Sequence, residues 1–376
     1  MGVAYSLVPE APLGASRLMA ALLVVAGFLL GVRLCRGVRR LRRDGERVLI
    51  LGGSPLGRQV IEAIEGQRYR RYTLVGVVDD AENLGRALEA TGPDRIVVAL
   101  AERRGCLPLC RLVESMARGI VVEDVAEIYE RLTGKLALEA LSPSSVIFSR
   151  NFRTSRFQHA RARALSLLVS LIGSIVLAPV LGVIVLLIKL DSRGPVFFVQ
   201  ERVGLSGRAF KLIKFRTMHP VSRPKSEWER DNYDRITRLG RWLRRFRLDE
   251  LPQLVNVLRG DMNLVGPRPH PVTNLGLMIL AARNLNDLTG DAIPYYSLRC
   301  AVRPGITGWA QIRNGYANNL DEETEKMRYD LYYIKHMSLW FDLRILLETA
   351  KVVFLGCKSA TAATGRRAHP SPEVNQ

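Results

Sequence analysis

Between residues 46 and 140, short apolar runs alternate with amphipathic segments. "RVLIL" (47–51), "YTLVGVV" (72–78), "RIVVAL" (95–100) and "IVVEDV" (120–125) are compact and rich in β-branched residues, which predicts strands. "PLGRQVIEAIEG" puts Pro55 near the start and Gly66 near the end of a predicted helix, and "CRLVESMARG" predicts another. A β-α-β-α-β order implies a small parallel sheet. Two longer stretches, Leu18–Val32 and Ala164–Ile188, are apolar without alternation. The first lies between Arg17 and "RLCRGVRRLRR", predicting a membrane anchor with its basic, C-terminal side in the cytoplasm. The second contains Pro179 and has basic residues at both ends, so a kinked span and a helix that turns back both fit it.

The first predicted turn, "GGSPLG" (Gly52–Gly57), fits a dinucleotide fingerprint only with Ser54 in place of the middle glycine. Asp79 stands 22 residues beyond Gly57. The substitution favours an accessory domain without a bound nucleotide. The pattern then divides the chain into an anchor with its basic flank (1–45), a Rossmann-like domain (46–140), a linker on a membrane surface (141–160), a second domain (161–358) and a disordered tail (359–376).

Composition narrows the partners. Lys+Arg number 55 against 36 Asp+Glu, a net charge of +19, which calls for anionic partners. Apolar stretches beside the basic ones favour a membrane surface and phosphorylated small molecules over nucleic acid. The cysteines (Cys35, Cys106, Cys110, Cys300, Cys357) form no disulfide framework or zinc site, and the five histidines have no metal-binding spacing. G-x-S-x-G, H-E-x-x-H and Walker A patterns are absent, which removes support for esterase, metalloprotease and P-loop chemistry.

The candidate chemistry gathers at "RFRLDELPQL" (245–254). Pro252 suits the first turn of a helix that Gly260 ends, so Asp249 and Glu250 are expected at a helix N-terminus. Taken alone, such a pair is better read as helix capping. Arg244, Arg245 and Arg247 crowd the same spot and are expected to keep both acids ionised. An ionised Asp249 suits attack on phosphorus, and Glu250 suits Mg²⁺ on phosphate oxygens. Arg268 lies between two prolines in "GPRP", a stiff mount for phosphate recognition. Lys214 and Arg216, like Gln200 and Arg202, are two apart and are expected to share a strand face. "ITRLGRWLRRFR" (236–247) has the make-up of an interfacial helix, and residues 329–356 are aromatic-rich with few charges.

From about Arg163 to Lys358 the chain resembles the bacterial sugar transferases, monotopic phosphoglycosyl transferases that use polyprenyl phosphate. The resemblance rests on "IKLDSRGPVFFVQERVGLSGRAFKLIKFRTM", "RLDELPQLVNVLRGDMNLVGPRP", "IPYYSLRCAVRPGITGWAQI" and "YDLYYIKHMSLWFDL", in that order. The N-terminal half and "IPYY" are similar to the exopolysaccharide branch, including its exosortase-associated members. This implies a fold: an α/β Rossmann-like accessory domain plus an α+β membrane-associated catalytic domain with a re-entrant membrane helix, a hairpin over 164–189 broken at Ala178–Pro179. It also implies a reaction, transfer of a sugar-1-phosphate from a UDP-sugar to undecaprenyl phosphate with release of UMP. Asp249 is then the nucleophile, Glu250 the partner of Mg²⁺, Arg268 a phosphate clamp, and Lys214, Arg216, Arg202 and Gln200 further site residues. The expected place is the bacterial inner membrane with the catalytic domain in the cytoplasm, in contact with membrane lipid and without nucleic acid. The accessory domain offers a route to a homo-dimer.

The chain departs from the family at Ser166, where an Asp is usual, and at His270, where Glu often follows "GPRP". The first is expected to weaken a contact between the membrane helix and its domain, the second to alter sugar or metal recognition. Two other functions stay open at this point. A nucleotide-dependent sugar oxidoreductase or epimerase would need a Tyr-x-x-x-Lys pair that residues 46–140 lack. A non-catalytic scaffold of a polysaccharide assembly complex would need no site at all.

Overall fold

The computed structural model describes residues 45–66, 71–100, 107–141, 146, 152, 155–219, 234–289, 295–314 and 320–355. The expected anchor at 18–32 and tail at 359–376 lie outside the described residues. The chain forms two compact units, Met1–Val125 and Ala126–Gln376.

The first unit is built on four strands, β1 (Glu46–Leu51), β2 (Tyr72–Val78), β3 (Arg95–Val98) and β4 (Val121–Asp124). They form one parallel sheet in the order β2-β1-β3-β4. Val48 to Leu51 are wholly buried, as expected for a strand covered on both faces. Helices α1 (Pro55–Glu65), α2 (Leu84–Thr91) and α3 (Leu109–Ala117) alternate with the strands. Ser54, the residue that breaks the fingerprint, is the N-cap of α1; its hydroxyl accepts from the Gly57 amide at 3.1 Å. Gly52 has φ +102°, and a Cβ there would meet the Ala99 carbonyl at 2.7 Å. That glycine is therefore explained by close packing of the chain on itself.

The second unit begins inside α4 (Val125–Thr133). Residues 126–140, read from sequence as the end of the first domain, pack here: Leu136 and Leu138 are fully buried in the same core as Leu331, Tyr333 and Trp309. A strand followed by a helix looks alike whichever core the helix joins, so the boundary was misplaced. Next comes α5 (Arg156–Asp191), 36 residues opened by a Ser155–Gln158 capping box. It runs as one helix with Pro179 inside. Helical structure continues through Ala178–Pro179, so a turn at this point is a kink within one helix and not a gap between two.

The contacts of α5 follow one stripe. Ala162, Ser166, Ser170, Ile184 and Ile188 are buried, whereas Leu168, Leu171, Ile172, Ile175, Val176, Val183, Leu186 and Leu190 are exposed. Before Pro179, Arg163 donates to the Met262 carbonyl at 2.9 Å and the Ser166 hydroxyl accepts from the Leu264 amide at 3.0 Å. After it, Ile184 and Ile188 pack with Phe215 and Leu243. Both ends of the apolar helix are therefore fastened to the same unit. Ser166, expected to weaken this attachment, provides part of it. Replacing Ser166 with Ala leaves a buried amide unpaired and is expected to cost about 1–3 kcal/mol, read as a lower unfolding midpoint in detergent.

The rest of the unit places the site. An antiparallel hairpin, β5 (Phe197–Val203) and β6 (Ala209–Phe215), pairs Gln200 with Leu212 and Phe198 with Lys214. α6 (Arg238–Arg245) buries Leu243 completely and leaves Trp242 half exposed, so it serves the core and an apolar surface together. A 3₁₀ turn, Leu248–Glu250, then leads into α7 (Gln253–Arg259), which Gly260 closes at φ +102°. The strand β7 (Asn263–Val265) pairs in parallel with β8 (Gly305–Thr307). Around them lie α8 (Leu275–Thr289), α9 (Tyr295–Arg299), α10 (Trp309–Asn314), α11 (Leu320–Lys335) and α12 (Leu339–Leu355). Tyr333 of the aromatic run is buried in α11, while Trp340 on α12 is 81% exposed.

Candidate active site

Asp249 and Glu250 stand in the 3₁₀ turn ahead of α7, one step earlier than the helix start expected from sequence. Arg247 sets the turn by adopting φ +56°, a left-handed conformation that L-residues other than Gly, Asn and Asp rarely hold. The reversal sends both carboxyl side chains inward, to 8% and 6% exposure.

The cations around this pair are distributed unequally. Glu250 Oε1 takes Arg268 Nη2 at 3.1 Å, Lys214 Nζ at 3.4 Å and Arg247 Nη1 at 3.7 Å. Burial raises the Glu250 pKa, but the charges of Lys214, Arg268 and Arg247 outweigh it and hold this carboxyl well below the usual range. Asp249 Oδ1, by contrast, is buried with no hydrogen-bond partner among the described residues. Burial and the charge of Glu250 push Asp249 upward, against Lys214, Arg244 and Arg247. The arginines were expected to keep both acids ionised; the close cation contacts go to Glu250, and Asp249 is shifted the opposite way. Lys214 is pushed down to about 8, chiefly by burial and against the pull of Glu250.

The other expected site residues divide into two places. Arg202 donates to Gln200 Oε1 at 2.6 Å and to the Pro269 carbonyl at 3.0 Å, bracing the "GPRP" turn from β5. With Lys214, Gln253 and Arg268 it lines a cavity of about 10 Å³, room for about one water. Arg216 is elsewhere. Its Nη2 donates to the carbonyl and hydroxyl oxygens of Ser192 at 2.7 and 2.8 Å, which ties the end of α5 to β6. It follows the last residue of β6, so strand alternation no longer governs its direction. Ala178 and Pro179 lie within α5, distant in sequence from every contact of the dyad.

Behind Arg268 is a polar wall of which sequence reasoning singled out only His270. Arg299 Nε meets Asp330 Oδ2 at 2.8 Å with both side chains about 5% exposed, and Arg299 Nη2 donates to the Arg268 carbonyl. His270 Nε2 faces Glu323 Oε2 at 3.5 Å, and Lys326 lies 3.8 Å from Glu323 Oε1. Glu323, Lys326 and Asp330 recur at i, i+3 and i+7 of α11, a spacing that puts them on one helical face and was the available signal. No group of three or more His, Cys, Asp or Glu able to hold a metal occurs among the described residues. A carboxylate pair with one unpartnered oxygen still fits Mg²⁺, which takes one or two carboxylates and completes its shell with phosphate oxygens and water.

With that geometry in place, similarity to known proteins becomes informative. Residues 157–356 match the model of the bacterial sugar transferase family. A UDP-N-acetylgalactosamine-undecaprenyl-phosphate N-acetylgalactosaminephosphotransferase of Aeromonas hydrophila is 37% identical over 238 residues, 63% of this chain and 53% of its own length. An undecaprenyl-phosphate glucose phosphotransferase of Komagataeibacter xylinus is 34% identical over 333 residues, 82% of this chain and 59% of its own. A UDP-glucose:undecaprenyl-phosphate glucose-1-phosphate transferase of Escherichia coli K12 is 31% identical over 350 residues, 85% and 72%. The chain thus spans somewhat more than half the length of the first two relatives. The family match covers the dyad, the cations that hold it and the apolar helix in one continuous segment, and the chain belongs to the bacterial sugar transferase family.

Proposed function

We propose that the protein transfers a sugar-1-phosphate from a UDP-sugar to undecaprenyl phosphate at the inner membrane, with the catalytic unit facing the cytoplasm, in exopolysaccharide synthesis. One observation carries the reading: two adjacent buried carboxylates in unequal surroundings, Glu250 held by three cations and Asp249 with an unpartnered oxygen. A carboxylate neutralised by close cations is a poor nucleophile, and a less stabilised one is better. Asp249 therefore attacks the β-phosphorus of the donor. The bond from that phosphorus to the oxygen of the α-phosphate breaks, UMP leaves with the electron pair, and a phosphosugar remains on Asp249. An oxygen of undecaprenyl phosphate then attacks the same phosphorus, releasing Asp249 as the carboxylate.

Arg268 and Lys214 provide positive charge for the pyrophosphate oxygens, a role suited to groups already clustered before the substrate enters. Glu250 is the residue that would hold Mg²⁺, which would supply charge neutralisation on those oxygens when bound. Contacts of α5 on both sides of Pro179 support a re-entrant helix, because a straight span carries its two ends to opposite sides of about 30 Å of hydrocarbon. The exposed stripe of α5 with Trp242 and Trp340 then faces lipid. The parallel-sheet unit is read as a Rossmann-like accessory domain.

Purified protein with Mg²⁺, undecaprenyl phosphate and a panel of UDP-sugars is expected to release UMP. Absence of UMP with every sugar sinks the reading. In oriented vesicles, a label at Arg193 is expected to react only from the cytoplasmic side.

A further inference from the structure

The transfer steps leave one group on the wall behind Arg268 without a task. Arg299 and Asp330 satisfy each other and fasten the Arg268 carbonyl. His270 is different. It lies two residues past Arg268, and its Nε2 is 3.5 Å from Glu323 Oε2, a charge contact too loose to give that oxygen a hydrogen-bond partner among the described residues; its own Nδ1 is likewise buried without one. Glu323 as a carboxylate only accepts, so the imidazole proton belongs on Nε2 and Nδ1 keeps a lone pair. Burial, Arg299 and Arg202 push His270 down to about 4, against the pull of Glu323, so the ring is neutral near pH 7. Glu323 in turn is pulled to about 2 by His270 and Lys326, against its own burial.

A buried acceptor left open is costly and calls for a donor. Phosphate oxygens do not fit, since they chiefly accept. A cation does not fit either, because the positive charges of Arg299 and Arg202 already act on the ring. A neutral hydroxyl does fit.

We propose that His270 Nδ1 accepts a hydrogen bond from a hydroxyl of the donor nucleotide-sugar, with Glu323 as the positioning residue that fixes its tautomer. This rests on the transferase reading above. Two rings of a UDP-sugar carry hydroxyls, the sugar and the ribose, and the chemistry at Nδ1 is the same for both. With the hydroxyl on the sugar, His270 selects among UDP-sugars by its placement; with the hydroxyl on the ribose, it selects the nucleotide, since a site built to bond a hydroxyl rejects ligands that lack it.

The test uses the full chain in detergent, with UDP-glucose and UDP-galactose as donors and UMP as inhibitor. His270→Phe is expected to raise the donor KM by about tenfold with a smaller change in kcat. His270→Gln, which keeps an acceptor, is expected to recover most of this, and Glu323→Gln to fall between. If the inhibition constant of UMP rises with KM, the hydroxyl is on the ribose; if only the donor KM values change, it is on the sugar. Wild-type KM in His270→Phe overturns the proposal, and so does equal damage in His270→Gln and His270→Phe. Wild-type turnover reports on the transferase reading separately. Should the wild type release no UMP, equilibrium dialysis of UDP-glucose against wild type and His270→Phe decides, and equal binding overturns the subsite.

Discussion

Asp249→Asn is expected to lower UMP release by roughly 10⁴–10⁶-fold, the range seen when an enzyme loses a group that acts in bond making. The side chain keeps its size, so the turn at Arg247 and the cations on Glu250 are expected to stay in place. What disappears is the carboxylate whose Oδ1 has no hydrogen-bond partner among the described residues. Two readouts separate nucleophile from bystander. A radiolabelled sugar phosphate is expected to remain on the wild-type protein when undecaprenyl phosphate is withheld, and not on Asp249→Asn. Glu250→Gln is also expected to lose activity, through relaxation of Lys214 and Arg268, yet to retain slow labelling. Full turnover by Asp249→Asn, with an unchanged unfolding midpoint, would falsify the assigned role.

The largest stability effect is expected at Arg299. Its ion pair with Asp330 is almost wholly buried, and removal of one member of such a pair leaves a charge without compensation, at a cost of about 3–5 kcal/mol. Burial already raises Asp330 while Arg299 lowers it, so the cation is what favours the ionised acid. Arg299→Met is expected to lower the unfolding midpoint by on the order of 10 °C. Activity is expected to fall as well, since Arg299 also holds the carbonyl of Arg268. Adding Asp330→Leu removes the stranded charge and is expected to restore most of the stability. A single variant as stable as the parent shows that the pair is replaceable by packing alone.

Much of the fold was legible because local rules decide it. The parallel sheet follows from short apolar runs between capped helices, and Gly260 marks the end of α7 as expected. The unit boundary was not legible, because α4 has the same amphipathic pattern whichever core it joins. Within the site, Lys214 and Arg268 meet Glu250 across 36 and 18 residues of sequence. Arg216 departs because strand alternation stops where β6 ends. His270 gained its partner from α11, which no local pattern around "GPRP" announces.

By itself the sequence determined the acidic pair, the excess of arginine and the length and apolarity of one helix. These are properties of neighbours along the chain; the family is shown by the match over residues 157–356. Only the tertiary structure decided which of two adjacent carboxylates the cations hold. Asp249 and Glu250 are consecutive and chemically alike, so composition treats them as one charge cluster. Folding separates them, since a turn aims successive side chains in different directions and the groups waiting there come from β6 and the "GPRP" turn. The cations therefore pair with Glu250 in close contact and leave an oxygen of Asp249 without a hydrogen-bond partner among the described residues, and the proposed division of roles rests on that asymmetry.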